Sequence, residues 1–322
     1  MVKAGKNPEN QPAESNPGTV IVNSGALTCV DLAGQRRRVI ENLPYVLYTE
    51  SGVSASPTGV AEMDGTLYLL TGEGYGDLSR KLLRLGTSGT PQVVADFLKF
   101  AAQGKPLEYI SPSSIEANPY AIIPDPANRR FSMTDGASGQ VLSAGLNSEI
   151  GVFSPTEDHL VVTGIARGPV GLAYFASFSQ LPHSAGAGAI YRLQPESSAA
   201  VTLGNLTTPI ALAFDRAGRL YTLQSTPLRM HLKGCVLEFI YTDAEANPYP
   251  GKTGRLLRFE RQSDDWSSGQ VLVEGLTYPT ALLFGSDDSL YVSVYGAFSP
   301  ADSGRVIRFV GLADRKPGQS PF

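Results

Sequence analysis

The sequence predicts an all-β fold built from repeated four-stranded units, and three observations support this prediction. The chain has 34 glycines and 23 prolines among 322 residues, about 18 %, where an average protein has about 12 %. Only 17 % of the residues are charged, against about 25 % in a typical soluble domain. A pattern of apolar segments also recurs at a spacing of about 45 to 55 residues. Together these features favour short strands joined by turns over long surface helices.

The clearest copy of the pattern begins at Pro57. It contains an inner strand at Pro57–Ala61, a second at Gly65–Leu70, a third at Leu82–Leu85 and a fourth at Gln92–Ala95. The inner strand is almost entirely apolar, which is typical of a strand buried on both faces. Four strands in about 50 residues are typical of a β-propeller blade and not of a solenoid or a sandwich.

Four further copies follow along the chain. Their inner strands are predicted at Asn118–Ile123, Val162–Ile165, Pro209–Phe214 and Pro279–Phe284. Third strands often carry the pattern Gly-x-apolar-apolar-Arg, as in Gly254–Phe259 and Gly304–Phe309. Gly218 precedes the second strand that begins at Leu220, where a tight hairpin needs a residue with positive φ. The sequence therefore predicts five complete blades from residue 57 onwards.

The N-terminal part predicts an incomplete additional blade. Thr19–Val22 matches a shortened second strand, Ser24–Leu32 a third and Arg37–Ile40 a fourth, with no inner strand before them. We therefore expect a six-bladed β-propeller with four-stranded blades over residues 19–310, its first blade incomplete. Polar segments flank it at residues 1–18 and 311–322. A trimmed N terminus explains the missing strands, and a partner chain that completes the ring is the alternative, because open sheet edges invite pairing.

Charge and hydrophobicity exclude two classes of partner. The net charge of −4 provides no broad cationic surface, so we expect no nucleic-acid partner. No run of 18 apolar residues occurs, so we expect no membrane span, and the first residues contain no apolar signal segment. Two cysteines, Cys29 and Cys235, are too few for a disulfide framework, and either one bridge or two unpaired thiols fits the sequence.

A family resemblance rests on the segment that links the first two complete blades. Val94–Phe97 is followed by a short helical segment and then by Glu116–Tyr120. Together with the blade order, these residues resemble the ScyD/ScyE family of exported bacterial propellers, related to NHL and SMP-30-type six-bladed propellers. Glu116 and Ala121 depart from the aspartate and glycine of that family. The resemblance implies a secreted or periplasmic protein whose leader is absent from this chain, and it names no reaction.

The long loops of the predicted blades converge on one face of the propeller, where ligands of such folds gather. Aromatic rings on this face offer contact area together with a polar tip. Packing of the loops against the blades is the alternative role of these rings. The candidate ligand-binding residues are Tyr75, Tyr109, Tyr120 and Tyr295.

Polar side chains near the same strand ends suggest one divalent cation, Ca²⁺ or Zn²⁺. Carboxylate and amide oxygens suit Ca²⁺, and imidazoles suit Zn²⁺. The resemblance adds that SMP-30-type lactonases use such a cation to polarise an ester carbonyl. Turn stabilisation by the same side chains is the structural alternative. The candidate metal ligands are Glu73, Glu116, Asn118 and His159, with Asp135, Asp158, His183 and His231 as further members of the two sets.

Three functional hypotheses follow. The first is an extracytoplasmic binding or scaffold propeller that holds a small molecule or a protein on the long-loop face. The second is a metal-dependent enzyme of lactonase, lyase or oxidative type with its site at the mouth of the central channel. The third is a subunit of a larger extracellular assembly, which the missing strands suggest. The chain has no G-x-S-x-G or H-E-x-x-H motif, so no catalytic residue is assigned.

Overall fold

A computed structural model gives the architecture of most of the chain. It describes residues 19–48, 53–86, 89–102, 117–154, 160–178, 183–193, 199–225, 230–233, 236–239, 251–263, 265–297, 299 and 303–314. The chain divides into two compact units, Met1–Phe153 and Ser154–Phe322.

The N-terminal unit opens with a three-stranded sheet of order β1-β2-β3. Its strands are β1 (Thr19–Val30), β2 (Arg36–Tyr48) and β3 (Val53–Ala55). β1 and β2 form one long antiparallel hairpin, and its register shifts on both sides of Gly25. Cys29 lies exposed on β1, and Cys235 falls outside the described residues, so the pairing of the two cysteines stays open.

Two complete blades follow in this unit, each a four-stranded antiparallel sheet. The first consists of β4 (Gly59–Met63), β5 (Thr66–Leu70), β6 (Lys81–Leu85) and β7 (Pro91–Asp96). The second consists of β8 (Pro119–Asp125), β9 (Arg130–Asp135), β10 (Gln140–Gly145) and β11 (Ile150–Ser154). Helix α1 (Phe97–Ala101) follows β7, and the side chain of Asp96 caps it by accepting a hydrogen bond from the backbone N–H of Lys99 at 2.9 Å.

The C-terminal unit contains three more blades. The first has β12 (Val162–Arg167), β13 (Ala173–Ser177), β14 (Gly188–Arg192) and β15 (Ala200–Leu206). The second has β16 (Pro209–Phe214), β17 (Leu220–Gln224), β20 (Gly254–Phe259) and β23 (Gln270–Leu276). Its connections carry two short hairpins, β18 (Met230–Lys233) with β19 (Val236–Phe239), and β21 (Arg261–Gln262) with β22 (Asp265–Trp266). The last blade has three strands, β24 (Ala281–Phe284), β25 (Leu290–Val294) and β26 (Arg305–Phe309).

The structure confirms an all-β propeller with four-stranded antiparallel blades and corrects the number of blades. In the part of the chain that the structure describes there are five blades, so the prediction of six is wrong. The segment expected to form an incomplete first blade is the β1–β2 hairpin. The irregular register around Gly25 lets one 12-residue strand run through the two segments that were predicted as separate strands.

Glycines at the start of third strands allow neighbouring blades to pack closely. A β-carbon at Gly188 would lie 2.5 Å from Cδ of Pro209, which begins the next inner strand. At Gly254 the corresponding distance to Cδ of Pro279 is 2.6 Å. These distances are far below van der Waals contact, so only glycine fits. The Gly-x-apolar-apolar-Arg pattern of the sequence is therefore partly a blade-packing signal.

Apolar side chains of adjacent sheets form the core. In the N-terminal unit, one cluster includes Leu70, Phe97, Phe131 and Met133, all buried. In the C-terminal unit, Leu312 is buried in a cluster with the last two blades, and Arg258 donates a hydrogen bond to the carbonyl of Ala313 at 3.2 Å. The chain just after β26 is thus packed. No helix among the described residues has the length and apolar character needed to cross a membrane.

Candidate functional site

The candidate site lies at one edge of the first two blades, where inner strands begin and second strands end. We call this edge the loop edge, because the longer connections leave the blades there. Backbone and side-chain hydrogen bonds tie together residues from the starts of β4 and β8, the β5–β6 connection and the end of β9. The loop-edge cluster consists of Ser56, Thr58, Gly72, Glu73, Gly74, Arg80, Asn118 and Asp135.

Asn118 is the link between the two blades at this edge. Its Oδ1 accepts a hydrogen bond from the backbone N–H of Glu73 at 2.9 Å. Its own backbone N–H donates to Oδ1 of Asp135 at 2.8 Å. Because Oδ1 is the acceptor, Nδ2 carries both side-chain N–H donors on the other side of the amide. The amide is therefore fixed in one orientation beside Glu73.

Asp135 is a buried carboxyl group that accepts a hydrogen bond from the backbone N–H of Asn118. Its side chain is 1 % exposed, and Oδ1 also accepts hydrogen bonds from the backbone N–H groups of Ala137 at 3.1 Å and Ser138 at 3.2 Å. Burial raises the pKa of this carboxyl, and the three N–H donors and the charge of Arg80 oppose the rise without cancelling it. Asp135 thus closes the β9–β10 turn and positions Asn118 at the same time.

Arg80 is a buried residue that stabilises the β5–β6 connection by hydrogen bonds to backbone carbonyls. The residue is 4 % exposed, and its guanidinium donates from Nε to the carbonyl of Ala117 and from Nη1 to that of Gly74, both at 2.8 Å. Its backbone adopts a φ of 54°, and its N–H donates to the carbonyl of Gly72 at 2.9 Å. A buried cation is stable only with several such partners, so Arg80 fixes the loop that carries Glu73.

Gly72 permits the close approach of the two blades. A β-carbon there would lie 2.5 Å from Oδ1 of Asn118 and 2.8 Å from Cγ2 of Thr58. Thr58 in turn donates from Oγ1 to the carbonyl of Pro119 at 2.9 Å. Gly72 therefore serves contact between the two blades.

The four predicted ligand-binding tyrosines have different positions. Tyr75 lies partly exposed in the β5–β6 connection, two residues after Glu73, and Tyr120 lies partly buried on β8, two residues after Asn118. Burial raises the pKa of the Tyr120 phenol, so the phenol keeps its proton. Tyr295 belongs to the C-terminal unit, where the Arg305 guanidinium carbon is 5.8 Å from its ring centroid. Tyr109 falls outside the described residues.

The predicted metal ligands are only partly brought together. Glu73 and Asn118 are hydrogen-bonded neighbours, whereas Glu116 and His159, with Asp158, fall outside the described residues. Among the residues that the structure describes, no three His, Cys, Asp or Glu side chains group closely enough to hold a metal ion. The side-chain carbonyl oxygen of Asn118 and Oδ1 of Asp135 already accept hydrogen bonds. The described residues alone therefore do not make up a cation site.

The histidine hypothesis gains no geometric support among the described residues. His183 is buried and lies edge-on to the ring of Phe178, with the ring centroids 5.5 Å apart. His231 is a residue of β18, a strand whose side chains are not described. The arrangement of the three imidazoles therefore stays a prediction.

Sequence reasoning missed Arg80 and Ser56. Arg80 stands in the polar stretch Ser79–Lys81 just before a third strand, where a basic residue is expected to be exposed. Its partners are carbonyls of Gly74 and Ala117, which no local pattern identifies. Two features of the sequence do indicate the position of the loop-edge cluster. They are the glycines on either side of Glu73 and the Asn-Pro pair at the start of β8.

Replacing Asp135 with asparagine is expected to change how stability depends on pH. The raised pKa means that folded wild-type protein holds this proton to a higher pH than the unfolded chain does. The stabilisation is complete below the ordinary pKa of about 4 and is lost as the pH rises through the raised pKa. Asp135→Asn keeps the Oδ1 acceptor and cannot ionise. Urea midpoints between pH 4 and pH 7 should therefore shift in favour of the variant as the pH rises.

A control with the opposite sign comes from Asp287. Hydrogen bonds from the side chain and backbone of Ser289 lower the pKa of this carboxyl, and Arg308 adds to the effect. Its stabilisation is present above the ordinary pKa and is lost as the pH falls. Asp287→Asn should therefore lose stability relative to wild type as the pH rises. A difference between Asp135→Asn and wild type that is constant or opposite in sign would contradict the account of Asp135.

Comparisons with known proteins show the fold. No protein-family model matches the chain, and no curated protein matches it either. A Thermus thermophilus protein proposed to be an oxidoreductase (glucose dehydrogenase) aligns with 17 % identity over 90 % of this chain and 92 % of its own, with a TM-score of 0.55. A chain from a nidogen/laminin complex aligns with 16 % identity over 89 % of this chain and 95 % of its own, with a TM-score of 0.53.

A third similar structure is a gluconolactonase from Xanthomonas campestris. It aligns with 12 % identity over 87 % of this chain and 80 % of its own, with a TM-score of 0.51. These neighbours are β-propellers, and among them are gluconolactonase-type enzymes. At such identities the likeness establishes the fold of this chain, and function has to be argued from its own residues.

Proposed function

We propose that this protein hydrolyses small lactones at the loop-edge cluster. The observation that carries the proposal is the pairing of Glu73 with Asn118, in which the backbone N–H of Glu73 fixes the Asn118 amide at 2.9 Å. This contact places a carboxylate-bearing residue beside an oriented N–H donor. Ester hydrolysis needs a base for water and a donor for the carbonyl oxygen. The gluconolactonases among the structural neighbours favour the same substrate class.

The residues suit the following sequence of steps. The Glu73 carboxylate takes a proton from water as the water oxygen bonds to the lactone carbonyl carbon. The carbonyl oxygen becomes negative and accepts a hydrogen bond from Nδ2 of Asn118. When the intermediate collapses, the ring C–O bond breaks, and the departing oxygen takes the proton back from Glu73. The product is a hydroxy acid, and the carboxylate is restored.

The buried residues act by holding this pair in place. Asp135 fixes Asn118 through its backbone N–H, and Arg80 fixes the Gly74 carbonyl next to Glu73. A donor that is oriented in advance contributes most to the transition state, because it does not reorganise during the reaction. The ring of Tyr75, which is partly exposed in the same loop, offers apolar contact with the substrate.

The binding-propeller and assembly hypotheses remain alternatives to this proposal. The alternative of a binding or scaffold propeller predicts that ligands bind without turnover, and the assembly hypothesis predicts a non-monomeric mass. Membership of the ScyD/ScyE family and an extracytoplasmic location also stay predictions. The proposed reaction uses only groups of the protein, the lactone and water. Assays with added Ca²⁺ or Zn²⁺, and with chelator, test whether Glu116 or His159 helps to bind one.

Glu73→Gln is expected to lower the turnover of a hydrolysed lactone about 100-fold, the usual cost of removing a general base. Initial rates would be measured with D-glucono-δ-lactone and δ-valerolactone at slightly acidic pH, after subtraction of the uncatalysed rate. Asp77→Asn is the matched control, because Asp77 is an exposed carboxylate in the same loop. This control should keep the wild-type rate within about twofold.

Two results would overturn the proposal. One is a wild-type protein that hydrolyses neither lactone faster than water does, in any of the metal conditions. The other is hydrolysis that Glu73→Gln leaves unchanged, which would place the reaction elsewhere. Circular dichroism and melting curves of both variants separate a lost base from a lost fold.

A further inference from the structure

Ser56 is a buried side chain at the loop-edge cluster that the proposed reaction does not use. It is 5 % exposed, and its Oγ has no hydrogen-bond partner among the residues that the structure describes. The residue directly precedes Pro57 at the start of the first blade. A β-carbon placed on Gly74 would lie 3.8 Å from the Ser56 β-carbon, so Ser56 packs against the residue that follows Glu73.

An equivalent residue in another blade shares the positive φ of Ser56. Ser56, Asn118 and Thr208 each precede the proline that begins or leads into an inner strand. Thr208 shares a positive φ, 42°, with the 59° of Ser56. Positive φ at this position therefore recurs in another blade and carries no functional meaning by itself.

The missing partner, by contrast, distinguishes Ser56 from its equivalents. Thr208 donates from Oγ1 to the carbonyl of Ser225 at 3.2 Å. Asn118 accepts from the backbone N–H of Glu73. A hydroxyl that is buried without a partner is unfavourable, and in native proteins it calls for a bound molecule or a functional explanation.

We propose that Ser56 is a specificity-determining residue whose Oγ exchanges a hydrogen bond with a hydroxyl group of the bound lactone. This inference rests on the proposed function and adds the contact that selects hydroxylated substrates. A buried polar group that gains its hydrogen-bond partner only from the substrate discriminates strongly between substrates. A substrate that lacks the hydroxyl leaves the protein group unpaired. The site would therefore distinguish a hydroxylated lactone ring from a bare one.

Ser56→Ala tests the contact with a matched pair of substrates. For D-glucono-δ-lactone, which carries ring hydroxyls, we expect KM to rise about five- to tenfold. For δ-valerolactone, which carries none, KM should change less than about twofold. The melting temperature should stay the same or rise, since the lost hydroxyl has no partner in the described part of the folded chain.

Thr208→Ala is the matched control, because it removes a hydroxyl that does have a partner at an equivalent position. This variant should melt at a lower temperature and leave both KM values unchanged. Equal KM changes of Ser56→Ala for the two lactones would overturn the role of Ser56 in specificity. Unchanged KM values would do the same and would assign the Ser56 hydroxyl a structural role.

A binding measurement keeps this inference separate from the proposed reaction. If wild-type protein hydrolyses neither lactone, the proposed function fails, and Ser56 is tested by thermal shift with D-gluconate, the hydroxylated product. Stabilisation of wild type and of Thr208→Ala, with at least fivefold weaker binding by Ser56→Ala, supports the contact. Equal stabilisation of all three, or of none, overturns it.

Discussion

Arg80→Met is expected to lower the free energy of unfolding by about 3–5 kcal/mol, because it leaves two buried backbone carbonyls without a hydrogen-bond donor. The variant preserves much of the apolar volume and removes all of the donors. The carbonyls of Gly74 and Ala117 lose the bonds that Arg80 makes at 2.8 Å. Asp135 also loses a charge that favours its ionised form. Each orphaned buried acceptor costs about 1–3 kcal/mol.

Denaturant unfolding of Arg80→Met, with Arg84→Met as control, measures this effect. Arg84 is an exposed arginine on β6, four residues further along the chain. The control should stay within about 0.5 kcal/mol of wild type, as surface substitutions do. A loss below about 1 kcal/mol for Arg80→Met would mean that the loop around Glu73 does not depend on the buried guanidinium.

Gly164→Ala is expected to destabilise the C-terminal unit by about 3 kcal/mol, at the upper end of the cost of overpacking. A β-carbon on Gly164 in β12 would lie 2.6 Å from Cα of Ala211 and 2.9 Å from the carbonyl oxygen of Ile210, both in β16. Both obstacles are backbone atoms, so no side-chain rotation relieves the clash. The two inner strands would have to move apart.

Gly204→Ala is the matched control for this substitution. Gly204 is an exposed strand glycine of the same unit, and an added β-carbon would meet no atom within 4 Å. The expected change is neutral or a gain of up to about 1 kcal/mol, because alanine restricts the unfolded chain. Similar midpoints for the two variants in urea unfolding would contradict the close inner-strand packing.

The strands were the part of the structure best predicted from sequence. The predicted inner strand Pro209–Phe214 has the same bounds as β16, and the predicted Gly304–Phe309 differs from β26 by one residue. Such strands are apolar, short and bounded by proline or glycine, so their limits are determined by neighbouring residues. The N-terminal hairpin was mispredicted, because its strands continue through register shifts around Gly25, where the alternating pattern expected of a strand is interrupted.

The site was predicted in outline only. Glu73, Asn118 and Asp135 were candidates because polar residues at strand ends of one face tend to come together, and the structure joins Asn118 to both others. Arg80 and Ser56 were missed because their importance lies in burial and in missing or distant partners. Those properties arise from packing between blades, and a linear pattern does not contain them.

The initial rate of D-glucono-δ-lactone hydrolysis by wild type, Glu73→Gln, Asn118→Asp and the double variant tests the central claim most directly. Asn118→Asp keeps the Oδ1 acceptor for the Glu73 N–H and removes the Nδ2 donor. If the two residues act as one unit, each single variant loses about 100-fold and the double variant loses little more. Independent losses that multiply in the double variant, or single variants as fast as wild type, would contradict the assignment of the site.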